Sequence, residues 1–344
     1  MKRNKKVVVG IACGDINGIG LEILIRTFLD KSFFNECIFI VYVPAQIIKD
    51  YQKKIKCKDF NYNIIDGPEY ALSDTINIVD FKVNSFHLNL GRSTNSAAHI
   101  AIDSLDLAAK DLKTKSIDVL VTLPVNKKNI SLVRKDFIGH TEYFSSQFNN
   151  QDNLMLLCSK KLKIATATNH IPVSKISKEI TKSLIKRKIN ILIQALKKDF
   201  LISNPKIAVL SLNPHAGDEG LIGREDSEII QPVIDVLFKN GHLIHGPYSA
   251  DGFFGSRSYI NFDAVLAMYH DQALIPFKTI SFGEGVNYTS GLPVIRVSPD
   301  HGVGYDIAGK GVAKNNSLLF SIFLAIQIHS NRKLYRNSFT KTKL

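Results

Sequence analysis

The chain has 344 residues, 45% of them hydrophobic and 22% charged, with 21 glycines and 11 prolines. That composition excludes collagen-like, low-complexity and largely disordered chains, and at roughly 150 residues per domain the length predicts about two domains with cores that need no disulfide or metal staple. Lysine and arginine number 44 against 31 acids, a net charge of +13, which suits nucleic acid, anionic lipid or an acidic substrate. Much of the excess lies at the ends. Lys2, Arg3, Lys5 and Lys6 precede the first apolar run, and Arg332, Lys333, Arg336, Lys341 and Lys343 fall in an acid-free terminal stretch. With no interleaved aromatic platform these ends read as solvated tails, dispensable for catalysis, and no nucleic-acid partner is expected. A phosphorylated metabolite suits the remaining excess.

In chain order, Val7 to Ala12 reads as a first strand and not as a leader, because Asp15 follows at once and no small-residue cleavage pattern is present. Gly14-Asp15-Ile16-Asn17-Gly18-Ile19-Gly20 then opens a predicted helix over Gly20 to Leu29. Its glycines run GxxxGxG where a dinucleotide fingerprint runs GxGxxG, and Asp15 would repel a pyrophosphate. Cys37 to Val43 and Val119 to Thr122 read as buried strands with a helix over Asn95 to Leu112 between them. Gly139-His140-Thr141-Glu142 has two readings: Thr141 caps a helix, or its hydroxyl and the imidazole meet a phosphate.

Three further predicted strands, Lys163 to Thr168, Lys206 to Leu212 and Phe262 to Met268, lead into His170, His215 and His270. Ligands of open α/β sheets collect beyond the carboxyl ends of strands. Each histidine alone reads as structural or surface; together, three at equivalent strand ends fit Zn²⁺ or a similar divalent ion with a position left open, and Asp251 or Asp271 would add a carboxylate or a supporting hydrogen bond. Helices are predicted over Lys175 to Phe200 and Asp226 to Lys239, and the acidic run from Gly217 to Glu225 reads as a capped turn before the second. Lys278, Asn287 and Arg296 are either surface cations with a turn asparagine or one wall that binds substrate anions. In His301-Gly302-Val303-Gly304-Tyr305-Asp306-Ile307-Ala308-Gly309-Lys310-Gly311, the glycines permit close backbone approach and Asp306 offers a carboxylate to a ribose hydroxyl. A last helix is predicted over Lys314 to His329; its apolar run, Leu318 to Ile328, is far short of the ~20 residues of a membrane span. The four cysteines form no CxxC pair and read as buried or free thiols, which makes the cytoplasm the natural compartment. The fold class is α/β, mainly parallel, with helices on both faces.

GDINGIG (14–20), LPVNK (123–127), GHTEY (139–143), LNPHAG (212–217), AMYHDQ (267–272), GVNYTSGLPVIR (285–296) and DHGVGYDIAG (300–309) occur in the order found in one family. Through them the sequence resembles the 4-hydroxythreonine-4-phosphate dehydrogenases of pyridoxal phosphate biosynthesis, from about Val8 to Ala325. The resemblance implies metal ligation by His170, His215 and His270, and substrate contact by His140, Thr141, Lys278, Asn287 and Arg296. It implies two α/β/α domains around a cleft, similar to isocitrate and isopropylmalate dehydrogenases, in a homodimer whose active site is shared between subunits. Boundaries are placed at 1–125 plus 280–330 for the first domain and 126–279 for the second, with 331–344 as a basic tail. The cofactors implied are NAD, held around Gly302, Asp306 and Gly309, and one divalent ion, Zn²⁺ before Mg²⁺, Co²⁺ or Mn²⁺. Family prolines are replaced by Ile16 and Leu21, a threonine by Asn169 and a glycine by Ala273; the last two adjoin ligand histidines and bear on substrate preference.

The implied reaction oxidises 4-phosphohydroxy-L-threonine to a β-keto acid that decarboxylates to 3-amino-2-oxopropyl phosphate, with Lys278 pairing with a substrate anion or relaying the proton and Asp271 placed beside it as catalytic. A dehydrogenase of threonate or erythronate 4-phosphate is the nearest alternative. A metal-dependent hydrolase would use the same histidines without the 301–311 loop, and a phosphate acyltransferase would lack them.

Overall fold

A parallel strand buried on both faces needs a continuous apolar run, and Val7–Ala12 and Cys37–Tyr42 are such runs. The structure is a computed structural model that describes residues 6–83, 85–149 and 152–341, with the backbone alone over 339–341. Its strands are β1 (Val7–Ala12), β2 (Cys37–Tyr42), β3 (Tyr62–Ile65), β4 (Ile76–Val79), β5 (Val119–Thr122), β6 (Leu154–Cys158), β7 (Lys163–Thr166), β8 (Lys206–Leu210), β9 (Leu243–Tyr248), β10 (Ala264–Ala267), β11 (Val286–Ser290) and β12 (Arg296–Pro299). The chain divides into two compact units, Met1–Asn150 with Pro293–His329, and Gln151–Leu292 with Ser330–Leu344.

The first unit carries strands in the order β3-β4-β2-β1-β5-β12, every pair parallel. Residues 126–149 belong here and not to the second unit as expected, because Arg134 grips Asp106 through two bonds (3.0 and 2.7 Å) and Tyr143 donates to the same carboxylate at 2.5 Å. Those bonds fasten the helices Lys127–Val133 and His140–Gln147 to the long helix Asn95–Thr114.

In the second unit the order is β11-β6-β7-β10-β8-β9. β7, β10, β8 and β9 run parallel, while β6 is antiparallel to both β7 and β11. Pairing of β11 with β6 is what carries residues 280–292 into this unit, against the expected boundary. The core under β7, β8 and β10 is built from Leu157, Ile164, Ala208, Leu210, Val265 and Phe277.

The terminal stretch is not a solvated tail. Helix Asn316–Lys341 continues through it, and Arg332 is 4% exposed. Arg332 Nε donates to Asp199 Oδ1 at 2.6 Å and its Nη2 to the Tyr288 hydroxyl at 2.9 Å, while that hydroxyl donates to Asp199 Oδ2 at 2.6 Å. Proximity in sequence could not reveal this pair, because Asp199 lies 133 positions earlier. Lys6 likewise donates to the Phe34 carbonyl at 2.7 Å. Lys333 and Arg336 are exposed, as expected; Lys2, Arg3, Lys5 and Lys343 lie outside the described residues, as does the Lys341 side chain. Arg332→Met would strand the Asp199 carboxylate, 2% exposed, without its cation. A loss of about 3–5 kcal/mol is expected from urea unfolding. Wild-type stability in that variant would refute the role given to the pair.

Candidate active site

The three histidines leave neighbouring parallel strands, β7, β10 and β8, at the same edge of the second unit's sheet. The segments that carry them are tied side by side. Thr168 donates to the Met268 carbonyl through its amide (3.1 Å) and its hydroxyl (2.7 Å). The Gln272 amide accepts from Met268 N and donates to the Ser211 carbonyl, both at 2.7 Å, so one side chain links the ends of β10 and β8. Asp226, 1% exposed, accepts from Leu212 N at 2.7 Å and Asn213 N at 3.0 Å, which pins the chain just ahead of His215. Its carboxylate therefore holds a loop as well as opening a helix.

His170 and His270 face one another with ring centroids 5.6 Å apart. Two imidazoles on one tetrahedral ion, with metal–nitrogen bonds of about 2.0–2.1 Å, have centroids about 5 Å apart, so the pair fits two positions of such a site. Asp271 Oδ1 meets His270 Nδ1 at 2.7 Å, which leaves Nε2 as the nitrogen that could face a metal. His215 begins a left-handed run through Glu219 that includes four non-glycine residues with φ between 46° and 55°, a costly backbone that is concentrated at functional loops. Asp251 accepts from Ser249 Oγ at 2.5 Å, and that bond first, with nearby His215 adding less, holds its carboxyl below the usual carboxylate range. Among the described residues no three His, Cys, Asp or Glu side chains converge on one metal position; one chain brings His170 and His270 together without completing a three-ligand set.

Lys278 and Asn287 are also in the second unit. Lys278 is exposed near the end of helix His270–Ser281. Eight residues of helix separate it from His270, a rise of about 12 Å. Asn287 lies on β11 opposite Leu157, and its Oδ1 is buried without a hydrogen bond, an acceptor available to a ligand.

Arg296 belongs to the first unit, at the start of β12 beside Leu120 of β5. It is 1% exposed. Both its Nε and its Nη2 donate to the Thr122 hydroxyl, the former at 3.1 Å, and its guanidinium carbon lies 5.9 Å from the Phe144 ring centre. Burial pushes its pKa down to about 9, with Glu142 working in the other direction, so it is cationic at pH 7. Burial, then Arg296 and Lys127, hold His140 well below the usual histidine range, and the imidazole is neutral. Lys127 is shifted down by burial, while Glu142 supports its charge and Arg296 opposes it. Two cations, one carboxylate and a neutral imidazole leave one net positive charge around the first turn of helix His140–Gln147, where His140 and Thr141 sit. That combination suits an anion. The capping alternative fails: Gly139 occupies the N-cap position without a side-chain bond.

The 301–311 loop is docked on the first unit by the motif that resembled, but was not, a dinucleotide fingerprint. Tyr305 donates to Asp15 Oδ2 at 2.6 Å, Ile19 N to the Val303 carbonyl at 2.8 Å, and Gly309 N to the buried Glu22 carboxylate at 3.0 Å. Gly14 adopts φ +63°, and a Cβ there would lie 2.4 Å from the Pro124 carbonyl oxygen. Only glycine closes that turn. Gly302 has open space where a side chain would stand, and Asp306 is exposed, so the loop fits a dinucleotide approaching along its backbone.

The family model described as "Pyridoxal phosphate biosynthetic protein PdxA" matches residues 35–325. The chain belongs to this family. A 4-hydroxythreonine-4-phosphate dehydrogenase of Bacteroides thetaiotaomicron is 42% identical over 334 residues, covering 97% of this chain and 91% of that protein. One from Sulfurihydrogenibium sp. is 38% identical over 95% of this chain and all of its own length. The crystal structure of the Klebsiella pneumoniae enzyme aligns with a TM-score of 0.81 at 31% identity over 94% of this chain and 100% of that one. The α/β fold is that of these enzymes, and the chain is a dehydrogenase of pyridoxal phosphate biosynthesis by family. Among the described residues no helix is long and apolar enough to cross a membrane.

Sequence reasoning missed Lys127, Glu142 and Thr122 as neighbours of Arg296 and His140. Lys127 closes the LPVNK motif and Glu142 sits within GHTEY, so both signals were present without a geometry to join them. The lowered His140 pKa has a consequence for folding. Below the ordinary histidine value of about 6.5 the unfolded chain takes up a proton that the folded site refuses, so stability is lost as pH falls. His140→Gln is expected to flatten that loss in urea unfolding between pH 7 and pH 5.5. Parallel losses in variant and wild type would contradict a neutral His140.

Proposed function

We propose that the protein catalyses the NAD- and divalent-metal-dependent oxidation of 4-phosphohydroxy-L-threonine, whose β-keto acid product decarboxylates to 3-amino-2-oxopropyl phosphate. The observation that carries this reading is the net-positive pocket around Arg296, in a chain whose relatives are named for that substrate. Arg296, Lys127, Thr141 and the first-turn amides of helix His140–Gln147 would hold the phosphate. A neutral His140 donates one hydrogen bond to it without a further charge.

When bound, NAD would accept the hydride, and a divalent ion would acidify the substrate hydroxyl and polarise the carbonyl formed from it. Imidazole donors favour Zn²⁺ or Co²⁺ over Mg²⁺. His170 and His270 are the ligands that one chain brings together, with Asp271 fixing the His270 tautomer. His215 would be the third, engaged across a homodimer. Ile260, Ile275 and Phe282 of the second unit, 70%, 65% and 87% exposed, supply apolar surface for such a partner. Lys278 would pair with the carboxylate or relay the proton, and Asn287 would use its open Oδ1 toward the substrate amine. Gly302 and Gly309 would let the dinucleotide approach the backbone while Asp306 accepts from the ribose and repels a 2′-phosphate. The cytoplasm is the expected compartment.

The test is reduced-cofactor absorbance with purified, Zn²⁺-loaded protein, NAD or NADP, and either 4-phosphohydroxy-L-threonine or threonate 4-phosphate. Turnover with NAD and the amino acid is expected to exceed the other combinations. Faster turnover of threonate 4-phosphate would assign the sugar-acid reaction, which keeps the phosphate pocket and changes the contacts near Asn169 and Ala273. No reduction of either cofactor would overturn the proposal.

A further inference from the structure

A cavity of about 360 Å³ lies in the second unit, and none of its lining residues belongs to the candidate active site. Helix Lys182–Asp199 supplies Asn190, Gln194 and Lys198 to its wall, the end of β11 supplies Ser290, and Asp152 and Arg332 complete it. Both acids are already matched. Asp152 pairs with Arg187 at 3.2 Å, and Asp199 with Arg332 at 2.6 Å. Lys198 has no ion-pair partner among the described residues; the charges near it are Arg332, Asp199 and Arg336, and burial lowers its pKa. The wall therefore presents one unmatched cation.

Ser290 is 1% exposed, and its Oγ makes no hydrogen bond. Alternation along β11 puts its side chain on the same face as Tyr288, whose hydroxyl bonds Asp199 on the helix that carries Lys198. The hydroxyl thus points to the cavity side of the strand. Gly291 follows with φ +90°, and a Cβ there would lie 2.6 Å from the Asp152 carbonyl oxygen, so the turn closes with no side chain intruding on the space. A buried hydroxyl left without a partner is a rarity that calls for an occupant, and the volume is that of a small-metabolite site.

We propose that this cavity binds a small organic anion carrying a phosphoryl or carboxyl group, seated by the Lys198 ammonium and the Ser290 hydroxyl, with the Asn190 and Gln194 amides at its rim. Lys198 supplies the charge, Ser290 donates a hydrogen bond, and the amides discriminate among polar substituents. The site does not depend on the dehydrogenase reading or on a bound metal.

Equilibrium dialysis of the full chain against labelled inorganic phosphate at fixed ionic strength tests this, with Lys198→Met and Ser290→Ala run beside the wild type. Lys198→Met is expected to weaken one class of phosphate site roughly 10- to 100-fold, and Ser290→Ala to weaken it less, with turnover in phosphate-free buffer unchanged in both. Malonate competition separates the sources: displacement from that class assigns carboxylates as well, and none restricts the site to phosphoryl groups. Ser290→Ala removes a single oxygen, so it keeps the test decisive should Lys198→Met fail to fold. Superimposable isotherms for wild type and the folded variants would overturn the proposal. So would a crystal structure grown in phosphate that shows only water on Ser290 Oγ.

Discussion

Burying a guanidinium is the constraint around which the first unit is arranged. Arg296 opens β12, beside β5, and charge taken out of water there must be met by fixed dipoles and a counter-charge. Thr122, at the end of neighbouring β5, supplies the oxygen; Phe144 supplies a ring face; Glu142 supplies the opposite charge. Phe144 and Glu142 belong to one short helix, so its placement decides whether the arginine is tolerated. Asp106 does the placing, through Arg134 and Tyr143. Because Lys127 adds a second cation that Glu142 alone does not offset, the pocket is left short of negative charge. The proposed phosphorylated substrate would offset that surplus.

A second consequence of close packing is that three motifs act as one support. The Asp15 carboxylate accepts from Tyr305, Asn126 donates to that same phenol at 3.3 Å, and Asp15 N reaches the Pro124 carbonyl at 2.9 Å. GDINGIG, LPVNK and DHGVGYDIAG thereby share a polar cluster whose members are largely out of water. Burial raises the pKa of Asp15, and the bonds from Tyr305 and Asn17 work against that rise. A loop so fastened presents its glycines in a fixed shape. In the second unit Gln272 and Asp226 play the same part for the histidine loops, holding backbone and leaving the imidazoles outward.

Apolar runs made much of the fold legible. Val7–Ala12, Val119–Thr122 and the strands leading to the histidines stand where period and length placed them. Tyr62–Ile65, Ile76–Val79 and Arg296–Pro299 were not, because four residues with polar or proline members carry little pattern of their own. Helix His270–Ser281 was missed since Pro276 interrupts its period. For the site, strand-end logic found the histidines, whereas the partners that position them are glutamine and aspartate contacts set by tertiary folding. The same holds for Arg332: a basic stretch reads as solvated until its acid, on a helix far back in the sequence, is seen beside it.

The central claim, that Arg296 is held in the interior to bind substrate anion and not to brace the sheet, is tested most directly by steady-state kinetics of Arg296→Lys with thermal stability measured alongside. Lysine keeps the charge and loses the planar fork. The account predicts a fall in kcat/KM on the order of 10- to 100-fold with NAD binding and metal content preserved. An enzyme with unchanged kcat/KM and a lowered melting temperature would contradict it and make Arg296 a structural arginine.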